Sequence, residues 1–423
     1  MGNGGEALSI KPVGRTAIKK ILYIDYLDNI SLVVGLVLKP FFNKVVYHNA
    51  KGLFQSKKSR FNLERIGVRW ASYHGVPVEI FTQSLDVNIE LGEAVLKKRF
   101  TGNRVYGRLI KYLKLDDVGV KKANISLIRL LETESEFEGA PSLALINYLY
   151  SERDYEVYYV PKTMINYLLA LEYRRKITPV SFHIFFSAFW KISSRMIDKI
   201  YQRLKDYKHK PLKNNRDAGR SNDVKSDYGK YEIAFVPHKG LKYGEFFRKT
   251  YLYENNSDSI FDRKNLLTLS FEDSDPVSKR YYGFNKIPYD NINSNIGLKD
   301  ILNNTFQFIK HLNVCSGVLK CFSLTEIISS LVVMEFFYKV DYFRYQLGKY
   351  SSLKVIYFHY DICVTNAFVL ACHLRSIKTV SAQERTISFV YTLGLIFDHF
   401  LLVGEGFKSK VIESRFMDAF SHA

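Results

Sequence analysis

The chain has 423 residues, 47% hydrophobic and 15% aromatic, which excludes a disordered polymer and leaves room for two or three domains. Sixty-one Lys and Arg against 42 Asp and Glu give a formal net charge of +19, which favours an anionic partner: a nucleotide-activated substrate, nucleic acid or an anionic membrane surface. The four cysteines show no CxxC spacing, which argues against a zinc frame or a disulfide scaffold, and the longest apolar runs, 30–38 and 327–334, are too short to cross a bilayer.

Residues 1–18 read as a flexible tail; the opening MGNGGE carries neither an export signal nor a myristoylation pattern. A first strand is expected over 21–25, an apolar helix over 30–40 and a second strand over 44–47. This strand–helix–strand unit has the size of a parallel crossover. Its glycines do not form GxGxxG, so a dinucleotide fingerprint is lacking. Residues 87–150 read as a helical insertion with basic segments at 97–99 and 104–114. A strand over 156–160 and helices over 164–175 and 182–207 follow. The stretch 205–230 is polar, contains Pro and Gly, and has no hydrophobic period; its eight Lys/Arg against four Asp leave +4, and it reads as a linker or mobile loop.

Beyond it, strands are expected over 231–236 and 266–270 and helices over 298–312 and 324–345. Three more apolar strands, 355–359, 378–382 and 400–403, each end in a polar tip, with a crossover helix over 366–374 between the first two. Alternating strands and helices with buried strands predict an α/β fold of Rossmann-like parallel sheets with flanking helices. The expected divisions are an α/β region over 19–204, the polar stretch 205–230, and a Rossmann-like region over 231–423.

In such sheets ligands bind outside the carboxyl ends of the strands, which makes the tips the places to seek chemistry. The first tip carries Asp25 and Asp28, the latter also suited to cap the helix that follows. The segment after the 231–236 strand, 237–244, offers His238, Lys239, Lys242 and two glycines, charge and close backbone approach for a phosphate, without P-loop spacing. Tyr360 and Asp361 end the next strand, and Asp361, with Thr365, is equally a helix cap. Gln383, Glu384 and Arg385 follow a buried strand directly. A Glu there suits a general base and an Arg suits a developing phosphate charge, while an internal Glu–Arg pair is the plainer alternative. Glu405 closes the last tip. No HExxH, cysteine-rich metal pattern or GxSxG elbow occurs.

Residues 355–412 resemble the acceptor-side Rossmann-like domain of GT-B glycosyltransferases that build bacterial surface polysaccharides. The resemblance rests on Ser376-Ile377-Lys378-Thr379, on Gln383-Glu384-Arg385, and on the run from Asp398 through Phe400 and Val403 to Glu405. The family's Gln stands at Gln383, whereas its His and Gly are replaced by Glu384 and Arg385. The resemblance implies a GT-B-like architecture and transfer of a sugar from a nucleotide-activated donor to a surface-glycan or lipid-linked acceptor, with no cofactor or metal. Under it, Glu384, Asp25 and Asp361 are the catalytic candidates. Gln383, Arg385, His238, Lys239, Lys242, Asp28, Tyr360 and Glu405 are the candidates for binding substrate and phosphate. The expected place is the cytoplasm, peripheral to the inner face of the membrane. Because few residues follow Glu405, the two GT-B halves either both lie upstream or the donor half is missing. A non-catalytic basic module for nucleic acid or anionic membrane is the alternative, with nucleic acid ranked below the small polar ligand.

Overall fold

The computed structural model describes residues 19–25, 29–48, 69, 79–80, 90–134, 140–150, 155–173, 177–180, 230–236, 266–271, 288–292, 309–311, 313, 323–358, 366–382 and 396–401. The expected tail 1–18, the helix over 182–207, most of the helix over 298–312 and the polar stretch 205–230 up to Asp227 and Gly229 lie outside the described residues. So do the tips carrying Asp28, His238, Lys239, Lys242, Tyr360, Asp361, Thr365, Gln383, Glu384, Arg385 and Glu405.

The architecture is α/β, built on two parallel sheets. In the first, β1 (Lys19–Ile24) pairs with β2 (Lys44–Tyr47) on one side and β3 (Tyr155–Val160) on the other, and β4 (Ile177–Pro179) extends it beyond β3. Every pairing is parallel. The helix α1 (Asn29–Leu38) makes the crossover from β1 to β2 and ends in a 3-10 turn, Lys39–Phe41, where Pro40 halts the α-helix. β1 is buried on both faces: Ile21 and Tyr23 join the main core, while Leu22 and Ile24 join a smaller cluster beneath α1. Burial on both sides explains a nearly continuous apolar strand rather than an alternating one.

The second sheet contains β5 (Ile233–Val236), β6 (Leu266–Ser270), β7 (Tyr289–Asn291), β8 (Val355–Phe358), β9 (Lys378–Ala382) and β10 (His399–Leu401). Their order across the sheet is β10-β9-β8-β5-β6-β7, again all parallel. Counted from β5, this is the order 3-2-1-4-5-6 of doubly wound nucleotide-binding sheets, with its switch point between β5 and β8. Ala234, Val236, Ile356 and Phe358 face the main core; on the opposite face Phe235 stacks on Tyr357 at 5.9 Å.

Helices tie the sheets together. A π-helical turn, Leu96–Phe100, precedes α2 (Arg104–Leu113), α3 (Asp117–Glu134), α4 (Ala140–Leu149) and α5 (Met164–Glu172). After the second group of strands come the long α6 (Leu324–Leu347) and α7 (Asn366–His373), the crossover from β8 to β9. α6 packs on α7 and also on α2, α5 and the π turn, while α3 packs on α7 and α5. Residues of both sheets accordingly share one hydrophobic cluster. α3 is buried on nearly every side between residues 122 and 131, and it carries Lys122 and the fully buried Arg129 into that core. Lys122 Nζ meets Asp398 Oδ1 at 2.8 Å, and the Arg129 guanidinium lies 6.0 Å from the Phe397 ring centroid. At the same seam Asp116 bonds His373 at 3.0 Å.

Two short strands went unexpected. β4 contains Pro179, which has no amide hydrogen and is tolerated because β4 is an edge strand. β7, the other edge, reads Tyr-Asp-Asn, a sequence with the composition of a turn. Among the described residues no helix is long and apolar enough to cross a membrane.

Candidate functional site

The carboxyl end of β1 lies at the first sheet's own switch point, between strands that lead in opposite directions across the sheet. Asp25 follows Ile24 there, held by its amide bonding the Val160 carbonyl at 3.0 Å. It is 2% exposed. Its Oδ2 accepts from the Tyr159 hydroxyl and the Asn166 amide nitrogen, each at 2.7 Å. Asn166 occupies the first turn of α5, whose cap Thr163 accepts from the Asn166 backbone amide at 3.1 Å. The helix thus presents its amino end to a carboxylate, the favourable sense for its dipole.

Beside Asp25, the Tyr23 hydroxyl shares a 2.6 Å hydrogen bond with His48 Nδ1, and the Tyr23 ring tilts against Tyr159 at 6.3 Å. β1, β2, β3 and α5 each contribute to this buried polar group. Burial raises the Asp25 pKa from its ordinary value, opposed by the hydrogen bonds from Tyr159 and Asn166 and by nearby Lys162. Burial also pushes the Tyr23 phenol well up, reinforced by the charge of Asp25. Asn166 Oδ1 is a buried acceptor with no hydrogen-bond partner among the described residues. A buried carboxyl whose pKa is raised is suited to exchange a proton or to hold a hydroxyl donor.

The second sheet arranges its strand ends differently. Register places Val236 beside Phe358, Phe358 beside Ser381, and Ser381 beside Phe400, so β5, β8, β9 and β10 end nearly level. His238, Tyr360 and Gln383 are each the second residue in sequence after a member of that row. Lys239, Asp361 and Glu384 are the third. These residues lie outside the described residues; what the structure fixes is that their segments leave three neighbouring strand ends, those of β5, β8 and β9. Asp25 belongs to the other sheet, so a single sheet edge does not gather it with Asp361 and Glu384.

Two residues that carry the GT-B resemblance are structural. Asp398 Oδ2 accepts from the Thr379 backbone amide and hydroxyl, both at 2.8 Å, which fastens the start of β10 to β9. Burial acts to raise the Asp398 pKa, but the Lys122 ammonium and the Thr379 donors outweigh it and hold the carboxyl below its ordinary value. Cys372, on α7, is a buried free thiol. Among the described residues no three His, Cys, Asp or Glu side chains are grouped to hold a metal ion.

The spacing of the sequence hides Tyr159 and Asn166, which lie 134 and 141 residues from Asp25. Only the Thr163–Asn166 spacing, a helix cap just after a predicted strand, points to that end of the sheet. No protein-family model, curated protein or solved structure matches the chain.

Proposed function

We propose that the protein is a glycosyltransferase of GT-B type, passing a sugar from a nucleotide-activated donor to a hydroxyl of a surface glycan or lipid-linked acceptor. The observation that supports this most is the strand order of the second sheet, with the paired ends of β5 and β8 at its switch point. Doubly wound sheets hold nucleotides at that place. In sequence, His238, Lys239 and Lys242 follow β5, and Tyr360 and Asp361 follow β8.

In the reaction the acceptor oxygen bonds to the anomeric carbon as the bond from that carbon to the diphosphate breaks. The acceptor's proton goes to a carboxylate, and the diphosphate leaves with an added negative charge. Glu384 and Asp361 are the candidates for the base; His238, Lys239, Lys242 and Arg385 neutralise the leaving diphosphate, which needs no metal on this reading. Gln383, Tyr360 and Glu405 hold sugar hydroxyls. Asp25, closed off in its polar network, orders the end of the first sheet, and Asp28 follows it in sequence; on this reading the donor lies on the sheet that holds 355–412, the reverse of the acceptor-side role the resemblance implies for that segment.

A panel of uridine, guanosine, cytidine and thymidine nucleotide sugars in a thermal-shift assay tests this. One base class should raise the melting temperature, and Glu384→Gln should then cut turnover about 10²–10⁴-fold with that shift retained. A flat response to every donor overturns the reading.

A second reading, a non-catalytic basic module, draws on α2. Arg104, Arg108 and Lys111 are exposed at helical spacing, opposite the buried Val105, Tyr106 and Leu109. Binding to unrelated nucleic acids that falls steeply with salt, without any nucleotide-sugar response, would favour it.

A further inference from the structure

The helix α1 contains no charged residue, and several of its large side chains face away from the sheet. The fully buried positions are small residues, with Leu32 and Leu38 half-buried against the cluster beneath the helix. Ser31 is fully buried, and Gly35 packs so closely that a Cβ there would stand 2.0 Å from the Tyr47 hydroxyl. Val33, Leu36, Val37 and Phe41 are instead 59%, 46%, 63% and 72% exposed. Their spacing of three, one and four residues puts them on one stripe along α1 and its 3-10 turn.

Cations stand at the end of that stripe. Lys39 is exposed within the turn itself. Lys20 is tied to the same end by two bonds: its carbonyl accepts from the Asn43 amide at 2.9 Å, and its own amide bonds Asn43 Oδ1 at 2.7 Å. Its ammonium lies over the Tyr158 ring, which packs edge-on against Phe42 on the α1 side of the sheet. From Asn29 to Leu63 the sequence has no Asp or Glu, against Lys39, Lys44, Lys51, Lys57, Lys58 and Arg60.

We infer that this stripe is the docking face for an anionic lipid surface, with Val33, Leu36, Val37 and Phe41 entering the headgroup boundary and Lys20 and Lys39 meeting lipid phosphates. Glu156, beside Lys20 in the strand register and bonded by the Tyr158 hydroxyl at 3.0 Å, stands at the β3 side of this rim, while the stripe itself and the 29–63 run around it carry no carboxylate; an apolar stripe with cations at its end fits that partner in both shape and charge. The inference deepens the proposed function, since a lipid-linked acceptor lies in such a surface, but its test uses no donor or acceptor and stands or falls apart from catalysis.

The full chain is sedimented with vesicles of phosphatidylcholine alone and with about 30% phosphatidylglycerol, at low and at physiological salt. The wild type should pellet at least about tenfold more with the anionic vesicles, and Val37→Glu/Phe41→Glu should remove that gain at an unchanged melting temperature. Lys39→Gln should weaken binding severalfold and flatten its salt dependence. As a comparison, Arg104→Gln/Arg108→Gln/Lys111→Gln alters α2, whose buried side joins the main core on the face of the first sheet away from α1. Loss of binding in that variant with the α1 variant unaffected would overturn the inference. So would a fall in the melting temperature of Val37→Glu/Phe41→Glu, which would mean another part of the chain covers the stripe. No vesicle binding, with a concentration-dependent dimer that the α1 variant dissolves, would make the face an interface between copies and equally overturn it.

Discussion

The hydrogen bonds that Asp25 accepts come from neutral groups, Tyr159, Asn166 and the Lys162 backbone, whereas Asp398 accepts one from the Lys122 ammonium as well as two from Thr379. Burial acts in the same sense on both but more fully at Asp25, where it outweighs the hydrogen bonds and the nearby Lys162; at Asp398 the Lys122 and Thr379 partners outweigh it, so Asp25 is raised and Asp398 is lowered. Opposite pH dependences follow by linkage. A carboxyl raised by folding favours the folded state below its unfolded pKa, about 3.9, and that contribution is lost as pH rises through the folded value. Asp25→Asn cannot ionise, so its stability relative to the wild type should increase from about pH 4 to pH 7. A lowered carboxyl contributes above about 3.9 and loses that contribution as pH falls through its folded value. Asp398→Asn strands a buried Lys122 and should cost about 3 kcal/mol at pH 7, the deficit narrowing in acid. Urea midpoints of the two variants across that range check both signs, and parallel curves would refute the assignment of these partners.

At the scale of elements, strands and crossovers were legible because the physics that makes them is local. β2, β6 and β9 coincide with the apolar runs 44–47, 266–270 and 378–382, and α7 differs from its expected span by one residue. The start of α6 is written in Ser323 and Glu326: the Ser323 hydroxyl accepts from the Glu326 amide at 3.2 Å, a capping-box spacing. What the sequence left unread was set by neighbours. β4 and β7 are strands only because β3 and β6 lie beside them, and the outward turn of α1 is dictated by Tyr47, sixteen residues from Ser31, whose carbonyl it bonds at 3.3 Å. That packing is testable. Gly35→Ala brings a methyl into the Tyr47 hydroxyl and to 3.0 Å from Ile24 Cδ1, and should cost about 1–3 kcal/mol. Tyr47→Phe removes the clashing atom, so the double variant should recover most of the loss in a thermodynamic cycle. Strictly additive losses would show that α1 does not approach β2 as described.

For the whole molecule, two parallel sheets share one core through α3, α6 and α7, with contacts such as Asn103 Nδ2 to Ser330 Oγ at 2.9 Å joining distant parts of the chain. The sequence showed both Rossmann-like patterns but not this seam, because Lys122 and Asp398 lie 276 residues apart and nothing local marks either as a partner. The strand ends that precede the candidate residues were legible, since they follow from the strands themselves; the polar network at Asp25 was not, because it forms only when β1, β3 and α5 meet. The central claim is that a nucleotide-activated donor occupies the carboxyl edge of the second sheet. Hydrogen exchange read by mass spectrometry, with and without the nucleoside diphosphate that stabilises the protein, tests this most directly. Protection is expected in peptides covering 236–244, 358–362 and 382–386 together, with the β7 edge at 289–291 unchanged. Protection confined to peptides around Asp25 and Asn166, with those three segments unaffected, would contradict it.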